Sequence, residues 1–570
     1  MSNFYYNEEE ASYDAIVVGT GISGGWAAKE LCEKGLKTLV LERGPMVQHI
    51  RDYKTANMDP WDFDNGGTLS REDQAKQLKQ ARTGYTTRAE HNHWFVNDLE
   101  HPYNEIKRFD WMRGYHVGGR SITWGRHSYR FSALDFEANS IDGIAVDWPV
   151  RYKDIAPWYD KVESYIGVSG EKLGLTQLPD GQFEPMMELN CLEQHIREKL
   201  MEAYDDRFMT SGRVAHINSD KRYEGRNRCQ FRDRCMRGCP FGAYFSSLSS
   251  TLPAAERTGN MTMRPDSIVH EVIYDSDTKK ATGVKVIDRV TKESYVFKAR
   301  VIFLCASAIA STSILMQSKS DRFPNGMGND SDQLGRNIMD HHLDAGASGN
   351  YDGFEDKYYK GRKPAGIYLP RFRNLGGKSD TKEFIRGYGY QGSATRGNWK
   401  DAIAEMSYGK NLKEAILKPG GWRFGMSGFG EVLPNEDNRM TLDYDKLDSW
   451  GLPTVTFDAE FGDNEWKMRE DMKEQAVDML KKAGLRDVEA YDEPGALGLG
   501  IHEMGTARMG RDPKTSVLNG YNQIHTVKNV YVTDGAFMTS SSCVNPSLTY
   551  MAFTARAANH AAEQLKKGAL

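Results

Sequence analysis

The sequence predicts an α/β protein, α+β overall, with one domain on a parallel sheet and a second sheet-based domain. Three observations support this. The apolar run 15–18 leads into a glycine-rich turn and a helix-forming segment. A similar run at 300–305 indicates a further buried strand. From about 346 to 460, aromatic residues alternate with glycine and charge, which indicates a different, sheet-based unit.

The first element is a complete strand–turn–helix–strand unit. Residues 15–18 (AIVV) form a short β-branched run, followed by Gly19-x-Gly21-x-x-Gly24. Helix-forming residues at 26–31 end near Gly35, and a second apolar run at 38–41 closes with Glu42. This order is typical of a dinucleotide-binding unit, with an ordinary βα turn as the alternative.

Each glycine of this turn has a physical role. Gly19 allows a tight turn, Gly21 lets a pyrophosphate approach the backbone, and Gly24 lets the helix pack close to the strand. The first helical N–H groups and the positive end of the helix dipole then face the phosphates. Glu42 follows Gly24 by 18 residues, near the spacing at which a carboxylate meets an adenosine ribose. These residues alone leave FAD and NAD both open.

Composition and charge exclude some classes of protein. The chain has 570 residues, 39% hydrophobic, and a net charge of −5 from 74 basic and 79 acidic residues. This balance argues against nucleic acid as the main partner. No apolar stretch reaches roughly 18 residues, so no membrane span is expected. The first ten residues, MSNFYYNEEE, lack a basic and an apolar region, so no secretory signal is expected on this chain itself.

The middle of the chain has several recognisable elements. Residues 51–100 are polar and resemble an insertion, and the glycine-rich segment 114–125 is expected to wrap a ligand rather than form a flexible loop. Helices are predicted at 155–166, 186–208, 250–256, 309–317, 464–482 and from the alanine-rich end to about 566. Strands are predicted at 261–264, 270–274, 283–289, 294–298, 300–305, 440–442 and 454–457.

The aromatic residues between 346 and 460 allow two interpretations. They could stack on a sugar in a substrate domain, or they could form the core of a β-sheet, and the residues alone favour neither. They are Tyr351, Phe354, Tyr358, Tyr359, Tyr368, Phe372, Tyr388, Tyr390, Trp422 and Phe424.

The C-terminal motifs carry a family resemblance. Segments 501–510 (IHEMGTARMG), 530–535 (VYVTDG) and 540–549 (SSSCVNPSLT) resemble the glucose–methanol–choline (GMC) flavin oxidoreductases, as do 12–44, 114–131 and 300–342. The resemblance implies FAD and a GMC-type, Rossmann-like FAD-binding domain. Its discontinuous boundaries would be 1–50, 101–140, 250–345 and 495–570. A substrate domain would take 51–100, 141–222 and 346–494, leaving 223–249 as an iron–sulfur segment.

The resemblance also implies site residues. The cofactor would contact Gly19, Gly21, Ser23, Gly24, Glu42, Arg43, Gly118, Gly119, Ser121, Thr123, Trp124, Val269, Asp534, Gly535, Asn545, Pro546 and Ser547. Thr123 stands where some members attach FAD through a histidine, so a non-covalent FAD is expected. His502 would accept the proton of an alcohol, since imidazole titrates near neutrality, and Asn545 would donate to the alcohol oxygen. Alternatively, Asn545 would chiefly cap the following helix.

The seven cysteines do not form a disulfide framework. Four are scattered, but Cys229, Cys235 and Cys239 form C-x5-C-x3-C-P. Three close cysteines with a final proline suit a cluster with three iron sites. The alternatives are zinc with an outside ligand or packing thiols. The nearby arginines would offset the charge of a cluster, face an acidic partner or form a solvated basic face; they are Arg228, Arg232, Arg234 and Arg237.

This cysteine spacing resembles the large subunits of bacterial FAD-dependent sugar dehydrogenases, whose cluster is of the 3Fe-4S type. The resemblance implies oxidation of a sugar hydroxyl, with C3 of glucosides favoured over gluconate or glucose oxidation. Electrons would leave through the cluster to an external acceptor such as cytochrome c, and a small subunit would be a partner. An oxygen-using oxidase and a non-enzymatic flavin-holding subunit are the alternatives. The expected location is periplasmic by co-export with a partner, or cytoplasmic.

Overall fold

The structure is a computed structural model that describes residues 12–84, 86–221, 223–357, 364–397 and 408–570. The N-terminal MSNFYYNEEE and the aromatic residues Tyr358 and Tyr359 lie outside the described residues. The strands, numbered β1–β19 in chain order, are Ser12–Val18, Thr38–Leu41, Asn104–Glu105, Val168–Ser169, Phe183–Glu184, Thr210–Ser211, Met261–Arg264, Ser267–Asp275, Lys280–Asp288, Ser294–Leu304, His341–His342, Ala345–Tyr351, Ile367–Leu369, Tyr388–Arg396, Trp422–Glu431, Arg439–Leu447, Pro453–Asp458, Arg486–Asp492 and Val530–Val532.

The main sheet confirms the predicted parallel core. Its parallel part runs β7-β2-β1-β10-β19, and β9 and β8 continue it antiparallel. The sequence-distant strand β19 lies against β10 because the register pairs Ile302 with Val530. All five parallel strands end at the same edge, which is where ligands bind in open α/β sheets.

The runs 294–298 and 300–305, predicted as two strands, form one strand, β10. Its first half pairs antiparallel with β9 and is buried only on alternate residues. Its second half lies between β1 and β19 and is buried throughout. The change from alternating to continuous apolar residues marks a change of neighbours, not the end of the strand.

The described helices, numbered α1–α10 in chain order, are Ile22–Glu33, Arg71–Lys76, Ala133–Asp142, Tyr152–Ile166, Cys191–Ala203, Thr251–Arg257, Ala308–Gln317, Gly409–Leu417, Asp463–Lys482 and Ser547–Lys566. Seven of the ten described helices agree with predicted ones to within about five residues at each end, whereas α2, α3 and α8 were not predicted. Helix α10 packs against both α1 and α4 through alanine-rich turns. None of the helices in the described ranges is long and apolar enough to cross a membrane.

A second sheet is antiparallel, with order β18-β12-β15-β14-β13-β6 and β11 on β15. Helix α9 covers one face and α5 packs beside it. Six aromatic residues considered for sugar stacking are at most 2% exposed, so they are core of this region and that interpretation is wrong for them: Tyr368, Phe372, Tyr388, Tyr390, Trp422 and Phe424. Tyr351 and Phe354 pack against the same core.

A small third sheet has the order β16-β17-β3. In the described residues of the polar segment 51–100, a short α-helix, α2, is accompanied by 3₁₀ helices and turns. The residue boundaries that the sequence predicts for the two domains and the iron–sulfur segment stay a prediction.

Candidate active site

A cavity of about 2040 Å³, its open mouth included, lies at the carboxyl edge of the parallel sheet. Its walls come from the turns after β1, β2, β10 and β19, from segment 111–127 and from 501–503. The predicted ligand-wrapping role of 114–125 agrees with this placement, because most of that segment lines the cavity.

The three glycines of the first turn have the geometry that their spacing predicts. Gly19 has φ +97°, and a Cβ there would lie 2.5 Å from the carbonyl oxygen of Cys305. A Cβ on Gly24 would lie 1.9 Å from the carbonyl oxygen of Gly19, so the helix can pack this closely only on glycine. A Cβ on Gly21 would meet no protein atom within 4 Å, so the backbone there is open to a ligand.

Glu42 is buried at the end of β2, where its carboxylate is held by the chain. The backbone N–H of Thr20 donates to Oε2 at 3.1 Å and that of Gly44 to Oε1 at 3.0 Å, while the Thr20 hydroxyl donates to Oε2. Burial raises the pKa of Glu42, although these hydrogen bonds act to lower it. An ionised carboxylate accepts about four hydrogen bonds, so one place remains for a ribose hydroxyl.

The segment predicted to follow the flavin crosses over the first turn. The Gly118 N–H donates to the Thr20 hydroxyl at 2.9 Å, and a Cβ on Gly119 would lie 3.4 Å from the Cα of Gly21. Ser121 donates to the Gly118 carbonyl, and the Trp124 indole donates to the Phe245 carbonyl at 2.9 Å. The two glycine turns therefore form one cradle.

Most other predicted cofactor residues reach the same cavity. Asp534 accepts from the Ser311 hydroxyl and from the Ala536 N–H at 3.1 Å, and burial raises its pKa to about 6. Arg43 forms an ion pair with Asp448 at 3.0 Å. The cavity wall also includes Ser23, Arg43, Thr123, Val269, Asp534, Gly535, Asn545 and Ser547. Pro546 is not part of this wall; it is the residue before α10.

His502 lies at the cavity wall between two polar side chains. Its Nδ1 is 3.0 Å from Nδ1 of His341, and its Nε2 is 3.5 Å from Nδ2 of Asn545. Asn545 accepts from Gln391 Nε2 at 2.8 Å through Oδ1, so its side chain does not cap α10. The structure thus brings together both predicted catalytic residues.

Asp340 fixes the backbone around His502. Its carboxylate accepts from the N–H groups of Gly498 at 2.8 Å, Gly500 at 2.9 Å and His502 at 3.0 Å. Ligand atoms of Asp340, His341 and His502 lie within 4.8 Å of one another, a spacing that a metal ion could use. Three backbone N–H groups bind the Asp340 carboxylate, so hydrogen bonding explains the position of this group without a metal ion.

Burial sets the protonation state of these groups. It holds the pKa of His502 well below its usual range, and the neighbouring His341 and Arg120 lower it further. Burial lowers the pKa of His341 to about 4 and raises that of Asp340 to about 7. Both imidazoles are therefore neutral near pH 7 and able to accept a proton.

An ion pair joins the flavin segment to the histidine segment. Arg120 Nη2 lies 2.7 Å from Glu503 Oε2, and its Nη1 lies 3.2 Å from Oε1. The Glu503 side chain is 2% exposed, so this bidentate contact is shielded from solvent. The pair therefore fixes the position of the segment with Gly119 relative to the segment with His502.

Cys229, Cys235 and Cys239 lie near one another beside this cavity. Burial raises the pKa of Cys229 to about 11, with smaller contributions from the other two thiols. Met236, between Cys235 and Cys239, is part of the cavity wall. Phe231 and Asp233 in this loop have φ of 51° and 55°, a left-handed conformation that is unusual for a bulky residue such as Phe231.

Three of the four arginines of this segment contact residues 56–59, and the predicted offset of a cluster's charge stays a prediction. Arg232 and Arg237 donate to carbonyl oxygens of Ala56 and Met58, and Arg234 pairs with Asp59. Three of the four therefore dock the cysteine loop onto 55–59 instead of forming a solvated basic face. Arg228 is 3.7 Å from Asp220 at the surface.

The family profile of GMC oxidoreductases matches residues 13–343 in its N-terminal part and 434–554 in its C-terminal part. The chain belongs to the GMC oxidoreductases. It is an FAD-dependent oxidoreductase that acts on CH–OH groups.

Similar proteins span nearly the whole chain. The fructose dehydrogenase large subunit of Gluconobacter japonicus is 25% identical over 99% of this chain and 100% of its own length. The gluconate 2-dehydrogenase flavoprotein of Pantoea cypripedii is 24% identical, covering 97% and 94%. Formate oxidase from Aspergillus oryzae shares the fold with a TM-score of 0.63 at 15% identity, covering 99% and 100%.

Sequence reasoning missed Asp340, His341 and Gln391. The acid and the two histidines at 340–342 were a possible signal, and all three are buried. Adjacent titratable residues are rarely all buried unless they have a role. Gln391 gives no local signal, since it meets Asn545 across 154 residues.

Proposed function

We propose that this GMC enzyme is a sugar dehydrogenase that oxidises a secondary hydroxyl, favouring C3 of glucosides, and passes electrons through a 3Fe-4S cluster to an external acceptor. The observation that carries the proposal is the contact of the cysteine loop, through Met236, with the cavity that holds His502. Fructose dehydrogenase and gluconate 2-dehydrogenase among its relatives support a sugar substrate. A small subunit, a cytochrome c acceptor and co-export with that subunit are part of the proposal.

The chain fits a dissociable FAD. The open backbone of Gly21, the remaining acceptor site of Glu42 and the cradle of Gly119 would hold its nucleotide half. Thr123 offers no imidazole for a covalent link. When bound, FAD supplies acceptance of a hydride and release of single electrons.

The chain's own residues handle the proton and the alcohol oxygen. The neutral imidazole of His502 accepts the hydroxyl proton at Nε2, as the O–H bond breaks. The Asn545 amide donates to the same oxygen while negative charge develops on it. Arg120 and Glu503 hold the two wall segments together, which keeps the geometry constant through turnover.

The three thiols fit a multi-iron cluster better than a single ion. Tetrahedral zinc holds thiolates about 2.3 Å away and so about 3.8 Å from one another. Within the described chain, Cys229, Cys235 and Cys239 do not form a set of ligand atoms all within 4.8 Å. Cys229, Cys235 and Cys239, all free thiols, would be the residues that hold a cluster with three irons. When bound, it supplies one-electron transfer.

Metal analysis with cysteine variants tests this assignment. The purified protein is expected to hold about three irons per chain. Replacing Cys229, Cys235 or Cys239 by serine should remove iron and stop reduction of cytochrome c, while anaerobic bleaching of the flavin by sugar continues. The matched control is Cys191→Ser, at the first residue of α5.

Iron-free protein that turns over sugar with oxygen would contradict the cluster and establish the oxygen-using oxidase instead. Paromamine 6'-oxidase of Streptomyces fradiae, 27% identical over 98% of this chain and 93% of its own length, makes that the second candidate. The substrate is tested with a dye acceptor on methyl glucoside, glucose, gluconate and cellobiose. We expect methyl glucoside to give the highest kcat/KM and a 3-keto product; oxidation at another carbon would refute the C3 assignment.

The pH profile of kcat/KM is expected to keep its plateau to below pH 6.5. The base is the neutral imidazole of His502, and burial holds its pKa well below the usual range. Protonation therefore removes the base only as pH falls through this lowered pKa. Initial rates measured at low sugar concentration between pH 4 and 9 give the midpoint of the acid limb. An acid limb centred at or above pH 6.5 would show that His502 is not the titrating base.

A further inference from the structure

The hydrogen bonds around His502 form a chain of side chains that begins on the second sheet. Its members are Gln391, Asn545, His502 and His341. His341 is 1% exposed and Asn545 7% exposed, while His502 and Gln391 are half-buried. In such a chain the direction of one donor determines the direction of the others.

The two imidazoles share one proton. Nδ1 of His341 faces Nδ1 of His502 at 3.0 Å. Two lone pairs at this distance would repel each other, so one of the two neutral rings carries its proton on Nδ1 and donates it to the other. This contact by itself does not decide which ring donates.

The contacts on the other side of His502 decide which ring donates. Gln391, on β14, donates to Oδ1 of Asn545 at 2.8 Å, which turns the amide nitrogen of Asn545 toward Nε2 of His502 at 3.5 Å. An amide NH₂ only donates, so Nε2 must carry a lone pair. The proton of the neutral His502 ring is therefore on Nδ1, which donates it to Nδ1 of His341.

We propose that His341 and Gln391 are positioning residues that fix His502 in the tautomer protonated at Nδ1, with the lone pair of Nε2 directed at Asn545 and the cavity. The assignment rests on the proposed role of His502 as base. In that step the hydroxyl O–H bond breaks and an Nε2–H bond forms, while His341 accepts a stronger hydrogen bond from the resulting imidazolium. Without His341 the ring is free to hold its proton on Nε2, where it cannot accept another.

The tautomer is tested directly by two-bond ¹H–¹⁵N spectra of histidine-labelled protein at pH 7, with the His502 signals assigned by their loss in His502→Asn. We expect a protonated Nδ1 and an unprotonated Nε2 in the wild type. In His341→Leu the Nε2-protonated form should appear. A wild-type ring protonated at Nε2 would overturn the proposal.

Kinetics give the second arm. His341→Leu should slow anaerobic flavin reduction at saturating sugar about 10²-fold, part of the 10²–10⁴-fold that a general base contributes, with KM changed less than about threefold. His341→Asn should recover to within about tenfold of wild type, because Oδ1 of asparagine can accept where Nδ1 did. The matched control is His342→Leu, the next residue on the same strand and 0% exposed. An equal loss in His342→Leu, or no recovery in His341→Asn, would refute positioning.

Variants of Gln391 provide a test that does not depend on whether the His341→Leu protein folds. Gln391→Glu places an acceptor opposite Asn545, so the amide must reverse and present its oxygen to His502 Nε2. We expect about a tenfold or larger loss for Gln391→Glu and a smaller one for Gln391→Met, which removes the donor without reversing the amide. Equal rates in both variants would refute the chain. If His502→Ala retains full activity, the proposed base role fails; if only His341→Leu retains it, this inference alone fails.

Discussion

Replacing His502 by alanine is expected to slow sugar-dependent flavin reduction about 10²–10⁴-fold, the range that a positioned base supplies. The variant loses the Nε2 acceptor, while the fold is held by bonds that do not use the ring: Asp340 accepts the backbone N–H of residue 502 at 3.0 Å. We therefore expect normal FAD content and an unchanged unfolding temperature. Anaerobic stopped-flow absorbance measures the reduction rate.

The control for this variant is His525→Ala, a histidine that bonds the Ser516 hydroxyl at 2.9 Å and does not line the cavity. It should reduce flavin at the wild-type rate. Wild-type rates in His502→Ala would remove the base assignment and favour a flavin-holding subunit or another base. Loss of FAD in that variant would instead indicate a structural role for the imidazole.

Replacing Gly24 by alanine is expected to remove FAD binding and to lower the stability of the protein. The added Cβ would lie 1.9 Å from the Gly19 carbonyl oxygen, so α1 must move away from β1. Overpacking of this kind costs about 1–3 kcal/mol, and more where backbone must shift. FAD content after gel filtration and the thermal unfolding midpoint report the two effects separately.

Gly21→Ala is the matched variant, because its Cβ would meet no protein atom within 4 Å and its φ is −66°. Its unfolding midpoint without FAD should equal that of the wild type, but its FAD affinity should fall at least about tenfold, since the methyl occupies the space of the cofactor. Full FAD affinity in Gly21→Ala would show that this turn does not hold the pyrophosphate. A stable, FAD-loaded Gly24→Ala would contradict the packing role.

Features set by neighbouring residues could be predicted from the sequence. The strand β1, the turn from Gly19 to Gly24 and the helix α1 depend on local conformational preferences, and all three are where the pattern places them. The extent of β10 was harder to predict, because the burial pattern of this strand changes where its partner strands change. The buried aromatic residues of the second sheet have the same composition as a sugar-binding surface, so only the packing distinguishes the two.

The partners of His502 could not be found in this way. His341 lies 161 positions away in the chain and Gln391 reaches the site only through Asn545. The docking of the arginines around the cysteines onto 55–59 likewise depends on contacts across about 175 positions or more. Such pairs are fixed by the topology of the sheets, which no local pattern encodes.

The position of β19 in the main sheet has a consequence for folding during synthesis on the ribosome. This strand completes the sheet beside β10, yet it is made more than five hundred residues after β1. At about 5–20 residues per second, roughly 25–100 s separate the two. From the completion of β10 to that of β19, one edge of β10 lacks its partner strand, and Asp534 and Gly535 are made only after β19. The complete cofactor cavity therefore requires a nearly finished polypeptide.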